Sequence, residues 1–153
     1  MTRRLESIWA YLGELIVAAL LLLALNLLLD TQDLSVWLTQ QRASLTTILT
    51  TGVASSAIAF GAFFAILTTD FGSKLRLVGE AKAYVIAFAF PLLLFVVSLA
   101  VVTLGSSNWG TLYTQLCIFL LLYAALNFIT MIKNAIDLAG LWQDVDEARN
   151  GKK

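Results

Sequence analysis

The sequence predicts an all-α integral membrane protein: a four-transmembrane-helix bundle, N-in/C-in, with a cytoplasmic helical extension of the fourth helix. Three observations carry that reading. Of the 153 residues, 59% are hydrophobic and 13% are charged, against about 45–50% apolar and about 25% charged in a soluble domain. The chain contains four apolar runs, each near the ~20 residues that a helical span requires, and little is left over for a soluble domain. With the N-terminus inside, Arg3, Arg4, Lys74, Arg76, Lys82, Lys133, Arg149, Lys152 and Lys153 fall on the cytoplasmic side, and Arg42 alone falls outside, which is the asymmetry of the positive-inside rule. Disorder, a disulfide scaffold and a basic nucleic-acid binder are excluded by the same composition, so the first partner expected is the lipid bilayer and no nucleic-acid partner is expected.

The expected organisation is one transmembrane domain over residues 1–153. Leu15 to Leu29 is interrupted only by Asn26, and Leu5, Ile8, Trp9, Tyr11 and Leu12 precede it at helical spacing, so the first span is placed at 9–29. That is about 31 Å by helix rise, close to the thickness of a bilayer core. Arg3 and Arg4 resemble the start of a signal peptide, but the run ends in Leu27, Leu28, Leu29 and Asp30 without small residues at cleavage spacing. A retained anchor is therefore expected. The second span is placed at 44–68, the third at 84–104 and the fourth at 111–131. The segment Asp30 to Ala43 reads as an external connection, in which Asp33 can cap a short helix that lays Leu34, Trp37 and Leu38 on the outer surface. Residues 69–83 form an inner connection. The short link from Gly105 to Gly110 makes the third and fourth helices antiparallel neighbours. Trp9, Tyr84, Trp109 and Tyr113 are placed at the interfaces.

Beyond the fourth span, residues 132–153 continue as a cytoplasmic amphipathic tail. Ile136, Ala139, Leu141, Trp142 and Val145 alternate with Asp137, Asp144, Asp146 and Glu147 at helical spacing. Its apolar face needs a partner: the inner leaflet, another copy, or a cytoplasmic protein bound through residues 133–153.

Catalytic chemistry is absent from the inventory. There is no histidine, and Cys117 is the single cysteine, set in an apolar run. No phosphate loop, metal motif or nucleophile elbow is found, so no enzyme activity, catalytic residue, metal or cofactor is expected. The polar residues inside the spans carry more information, because a charge there costs about 2.5–3.5 kcal/mol on insertion scales. Glu14 lies about 7 Å inside the first span by helix rise, and Lys133, near the inner end of the fourth, is its candidate partner. In the second span, Thr47, Thr51, Gly52, Ser56 and Gly61 make a small, weakly polar helix. Its Gly52–Ser56 and Ala57–Gly61 pairs suit close helix packing, and its hydroxyls suit the wall of a pore. On the fourth helix, Tyr123, Asn127, Thr130, Asn134 and Asp137 follow at steps of four, three, four and three, a polar stripe on one face that belongs against another helix or a hydrated cavity. Asn26 poses the same question near the outer end of the first span. Pro91, inside the third span, is expected to kink it.

Three functional expectations follow. The first is a non-enzymatic small polytopic protein acting by assembly, as a homo-oligomer or as the membrane anchor or sensor subunit of a larger complex. The alternative is a homo-oligomeric ion channel or pore. The third is a proton-coupled small carrier using Glu14. Small multidrug transporters also have four short helices and a first-helix glutamate, but this chain has longer loops, a strong orientation bias and no matching motif. The compact four-helix architecture and short, charge-poor chain fit a bacterial inner membrane, where defence and immunity components share such a shape.

Overall fold

The computed structural model of the chain describes the backbone of residues 2–105 and 110–150, and the side chains of residues 11–105 and 110–143. Among the described residues five helices follow one another: α1 (Thr2–Leu28), α2 (Thr31–Leu67), α3 (Asp70–Leu77), α4 (Ala81–Leu104) and α5 (Gly110–Asn150). Four of them, over Tyr11–Leu28, Thr31–Leu67, Ala81–Leu104 and Gly110–Gln143, are long and apolar enough to cross a membrane. The anchors expected at Trp9 and Trp109 and the tail residues Asp144, Val145, Asp146 and Glu147 lie outside the residues whose side chains are described.

Two boundaries differ from expectation, for one reason. α2 starts at Thr31 and runs unbroken for 37 residues, about 55 Å by helix rise, so the external connection and its separate surface helix do not exist. The cap is Asp30, whose carboxylate accepts from the Gln32 amide at 3.3 Å, and not Asp33. Leu34, Leu38, Leu45 and Leu49 form one buried stripe through the whole region. No Gly or Pro breaks it between residues 31 and 43. Hydropathy falls there because the helix leaves the apolar zone, not because the helix ends. α5, at 41 residues, exceeds a bilayer core in the same way and carries the expected extension as uninterrupted helix.

α3 occupies the expected inner connection. Thr69 caps it by accepting from the Gly72 amide at 3.3 Å, Asp70 sits in its first turn, and Lys74 and Arg76 sit in its last. That charge order matches the helix dipole.

α2, α4 and α5 make the core, and α1 lies against the outside of α5. Leu45 and Leu49 of α2, Leu94, Phe95 and Val102 of α4, and Tyr113, Cys117 and Ala124 of α5 form its centre. Among its described residues, α1 contributes only Ala18 to that cluster, fully buried. At one end, Phe63, Phe71, Leu75, Phe88, Met131 and Leu138 form a second cluster that seats α3. Contacts across the molecule fix which ends meet. Arg42 of α2 reaches the last turn of α4. The Tyr113 hydroxyl of α5 donates to the Val102 carbonyl at 3.3 Å. Trp142, far along α5, stacks on Phe71 of α3 with ring centroids 5.4 Å apart. The N-terminal part of α1, α3 and the α5 extension thus share one end of the bundle, called here the α3 end. The opposite end, where α1 meets α2 and α4 meets α5, is the hairpin end.

Candidate functional site: a polar patch between α1 and α5

Tyr11, Glu14 and Ala18 fall at steps of three and four on α1 and share a face. Ala18 has only a methyl side chain to hold the helices apart, so α1 settles closely onto α5. That approach brings Glu14 to Thr130, whose Oγ1 donates to Glu14 Oε1. The other carboxyl oxygen, Oε2, is buried without a hydrogen-bond partner.

One turn away on α5, Asn127 is 1% exposed. Its Nδ2 donates to the Tyr123 carbonyl of its own helix at 2.9 Å, and its Oδ1 is buried without a partner. The amide is therefore not the interhelical link that its position suggested. Aromatic rings close the patch on the side of the core. Tyr11 packs edge-on against Phe90 with centroids 4.9 Å apart, Phe90 packs against Tyr123 at 6.0 Å, and Tyr123 stacks on Phe119 at 5.9 Å. Toward the α3 end, a polar cavity of about 180 Å³ is lined by Tyr11, Glu80, Tyr84, Ala87, Thr130 and Asn134.

Several expected site residues come together here and others do not. Tyr123, Asn127, Thr130 and Asn134 do face one interior region, whereas Asp137 is exposed. Lys133 is also exposed and forms no ion pair with Glu14. Thr130 already holds the carboxyl, and a lysine at the end of a span extends its amine toward water. Asn26, like Asn127, keeps a buried oxygen without a partner.

The small residues of α2 divide between two faces. Gly52 and Ser56 are buried against α4, where the Phe95 ring comes within 2.5 Å of the position a Cβ on Gly52 would take. Thr47, Thr51 and Gly61 are exposed. Each exposed hydroxyl donates back to its own helix, Thr47 to the Ala43 carbonyl at 3.1 Å and Thr51 to the Thr47 carbonyl at 2.9 Å. With Ala54, Ile58 and Ala65, also exposed, these three form a seam at steps of four, three, four, three and four. Pro91 is buried, and α4 is a single helix through it.

The α5 extension finds part of its partner within the chain, since Leu138 is buried and Trp142 stacks on Phe71, while Ile136 and Leu141 remain exposed. Between the extension and α2 lies an apolar groove of about 570 Å³, bordered by Ala59, Phe63, Ile66, Ala135 and Ala139. A second polar cavity, of about 250 Å³, sits at the hairpin end among Gln32, Ser35, Thr39, Thr111 and Thr114. The core around Leu49, Phe95 and Cys117 separates it from the cavity at the α3 end.

Sequence reasoning missed Tyr11, Glu80 and Tyr84 as lining residues. The spacing of Tyr11 to Glu14 was a usable signal, but Glu80, the cap of α4, and Tyr84 within it become neighbours of the patch only through tertiary packing. No family model matches the chain, and no curated protein or solved structure shows significant similarity to it.

Proposed function

We propose that this is a non-enzymatic membrane protein that acts through self-assembly, with the exposed seam on α2 as the contact between copies. The seam is the observation that carries the reading. All of its residues but Ile58 are small, and small side chains offer lipid tails little surface for dispersion contact but let a second backbone come close, while a 3.5-residue period suits a shallow helix crossing. The threonine hydroxyls, already bonded to their own helix, add little polar cost to that contact. The proposed orientation has both termini in the cytoplasm of a bacterial inner membrane, following the basic residues. In that frame α3, the apolar groove and the tail from residue 133 onward face the cytoplasm, where they also suit a soluble partner.

Native mass spectrometry of the complex extracted gently from membranes tests this. An integral multiple of the chain mass is expected. A stoichiometric companion protein with a single copy of this chain makes it an anchor or sensor subunit instead, and a lone monomer contradicts both.

A homo-oligomeric pore is the second reading, favoured by the row of hydroxyls on the same seam. The two polar cavities lie at opposite ends of the chain with the packed core between them, so any conducting path belongs between copies. Liposome flux with verified oligomer separates a pore from a silent assembly. A carrier using Glu14 has only the α1–α5 patch behind it.

A further inference from the structure

We propose that Glu14, Thr130 and Asn127 form a binding site for one small monovalent cation, entered through the polar cavity at the α3 end. The patch leaves one kind of atom unsatisfied. Glu14 Oε2 and Asn127 Oδ1 are both buried, both acceptors, and both without a donor. Exchanging the oxygen and nitrogen of Asn127 does not help, because Nδ2 is held by the Tyr123 carbonyl and an oxygen placed there would face another oxygen. A third oxygen belongs to the same region: Pro91 has no N–H to give the Ala87 carbonyl, and Ala87 lines the cavity. What the patch needs is positive charge or donated protons, and water alone cannot neutralise a buried carboxylate.

Among the described side chains around it, none supplies that charge. Tyr11 from α1, Glu80 at the cap of α4, Tyr84 from α4 and Tyr123 from α5 are the described titratable groups that face the patch, and none of them is basic. Lys133, the nearest lysine along α5, is exposed. Glu14 is the one carboxyl among the three proposed ligands, and one carboxylate balances one positive charge, which selects a monovalent over a divalent ion. A set of carboxyl, amide and hydroxyl oxygens selects a hard cation. The occupant is then an alkali ion shared by the three side chains. Because Thr130 both bonds Glu14 and lines the cavity, an ion entering from the α3 end reaches the carboxyl without crossing the core.

The test is thermal unfolding of the purified full chain in detergent, followed by circular dichroism. Labelling of the buried Cys117 gives a second readout. Sodium chloride is titrated against choline chloride at fixed ionic strength and fixed pH. The expected result is a saturable rise of the midpoint with sodium. Glu14→Gln keeps the oxygen that Thr130 bonds and loses the response. Asn127→Leu shifts it to about tenfold higher concentration, and Lys133→Gln behaves as the parent. The proposal is overturned if sodium does not move the midpoint, or if either Glu14→Gln or Asn127→Leu responds as the parent does.

Discussion

Gly52 and Gly61 lie on the same helix, yet they meet opposite surroundings. At Gly52 a methyl group would run into the Phe95 ring, which is itself buried and packed edge-on against Phe128 with centroids 5.6 Å apart. Gly52→Ala is therefore expected to cost about 1–3 kcal/mol through overpacking, seen as a lower unfolding midpoint, and Phe95→Leu in the same chain should recover most of it. At Gly61 a methyl group meets nothing within 4 Å, so Gly61→Ala should leave the midpoint of the single chain unchanged or raise it, with up to about 1 kcal/mol of helix propensity in its favour. Spacing alone had made Gly52–Ser56 and Ala57–Gly61 equivalent. A period of four marks residues that share a face, but which face turns inward depends on where α4 sits. The same limit applied to Glu14. Its depth in the span was legible and its pairing with Lys133 was not, because Thr130 competes for the carboxyl from the facing turn of α5.

At the scale of elements, two arginines close helix ends. Arg42 donates to the Thr103 and Gly105 carbonyls at 2.8 and 2.9 Å, serving the C-terminus of α4. Arg76 donates to the Leu67 carbonyl at 3.0 Å, serving the C-terminus of α2. Terminal carbonyls lack partners within their own helix, and a positive charge there also complements the dipole. This accounts for Arg42, the lone basic residue on the outer side of the predicted topology. Arg42→Ala should lower stability by roughly 1 kcal/mol, the low end for a charged hydrogen bond because the side chain is exposed. Amide exchange near Thr103 to Gly105 should speed up as α4 frays. α3 depends on Gly72, where a Cβ would strike the backbone of the last α2 turn at Ile66 and Leu67. Gly72→Ala should push α3 off its seat and increase proteolytic nicking between Leu77 and Glu80. The signals for α3 were all in the sequence, in Thr69, Asp70, Lys74 and Arg76. Hydropathy passes over such a helix because it registers the membrane rather than the hydrogen-bonded backbone, and for the same reason it shortened α2.

Across the whole molecule, the number of long apolar helices was legible because the bilayer imposes length and composition on every span. The arrangement was not, because lipid tails are as apolar as leucine and burial leaves little imprint on the composition of a span. α1 shows this best. It is as apolar as the core helices require, yet only 6% of its spanning window is buried, and it rides on α5 through Ala18 and the polar patch. Of the faces that internal packing leaves open, the α2 seam is the one proposed to join copies because small residues dominate it, so the central claim is that copies meet there. The most direct test is native mass spectrometry of the parent chain and Gly61→Leu, extracted identically, with Gly61→Ala as the control. An integral multiple of the chain mass for the parent and Gly61→Ala, with collapse to monomer for Gly61→Leu at an unchanged helical content, is the predicted result. A parent that is monomeric, or a Gly61→Leu protein that keeps the full multiple, contradicts it.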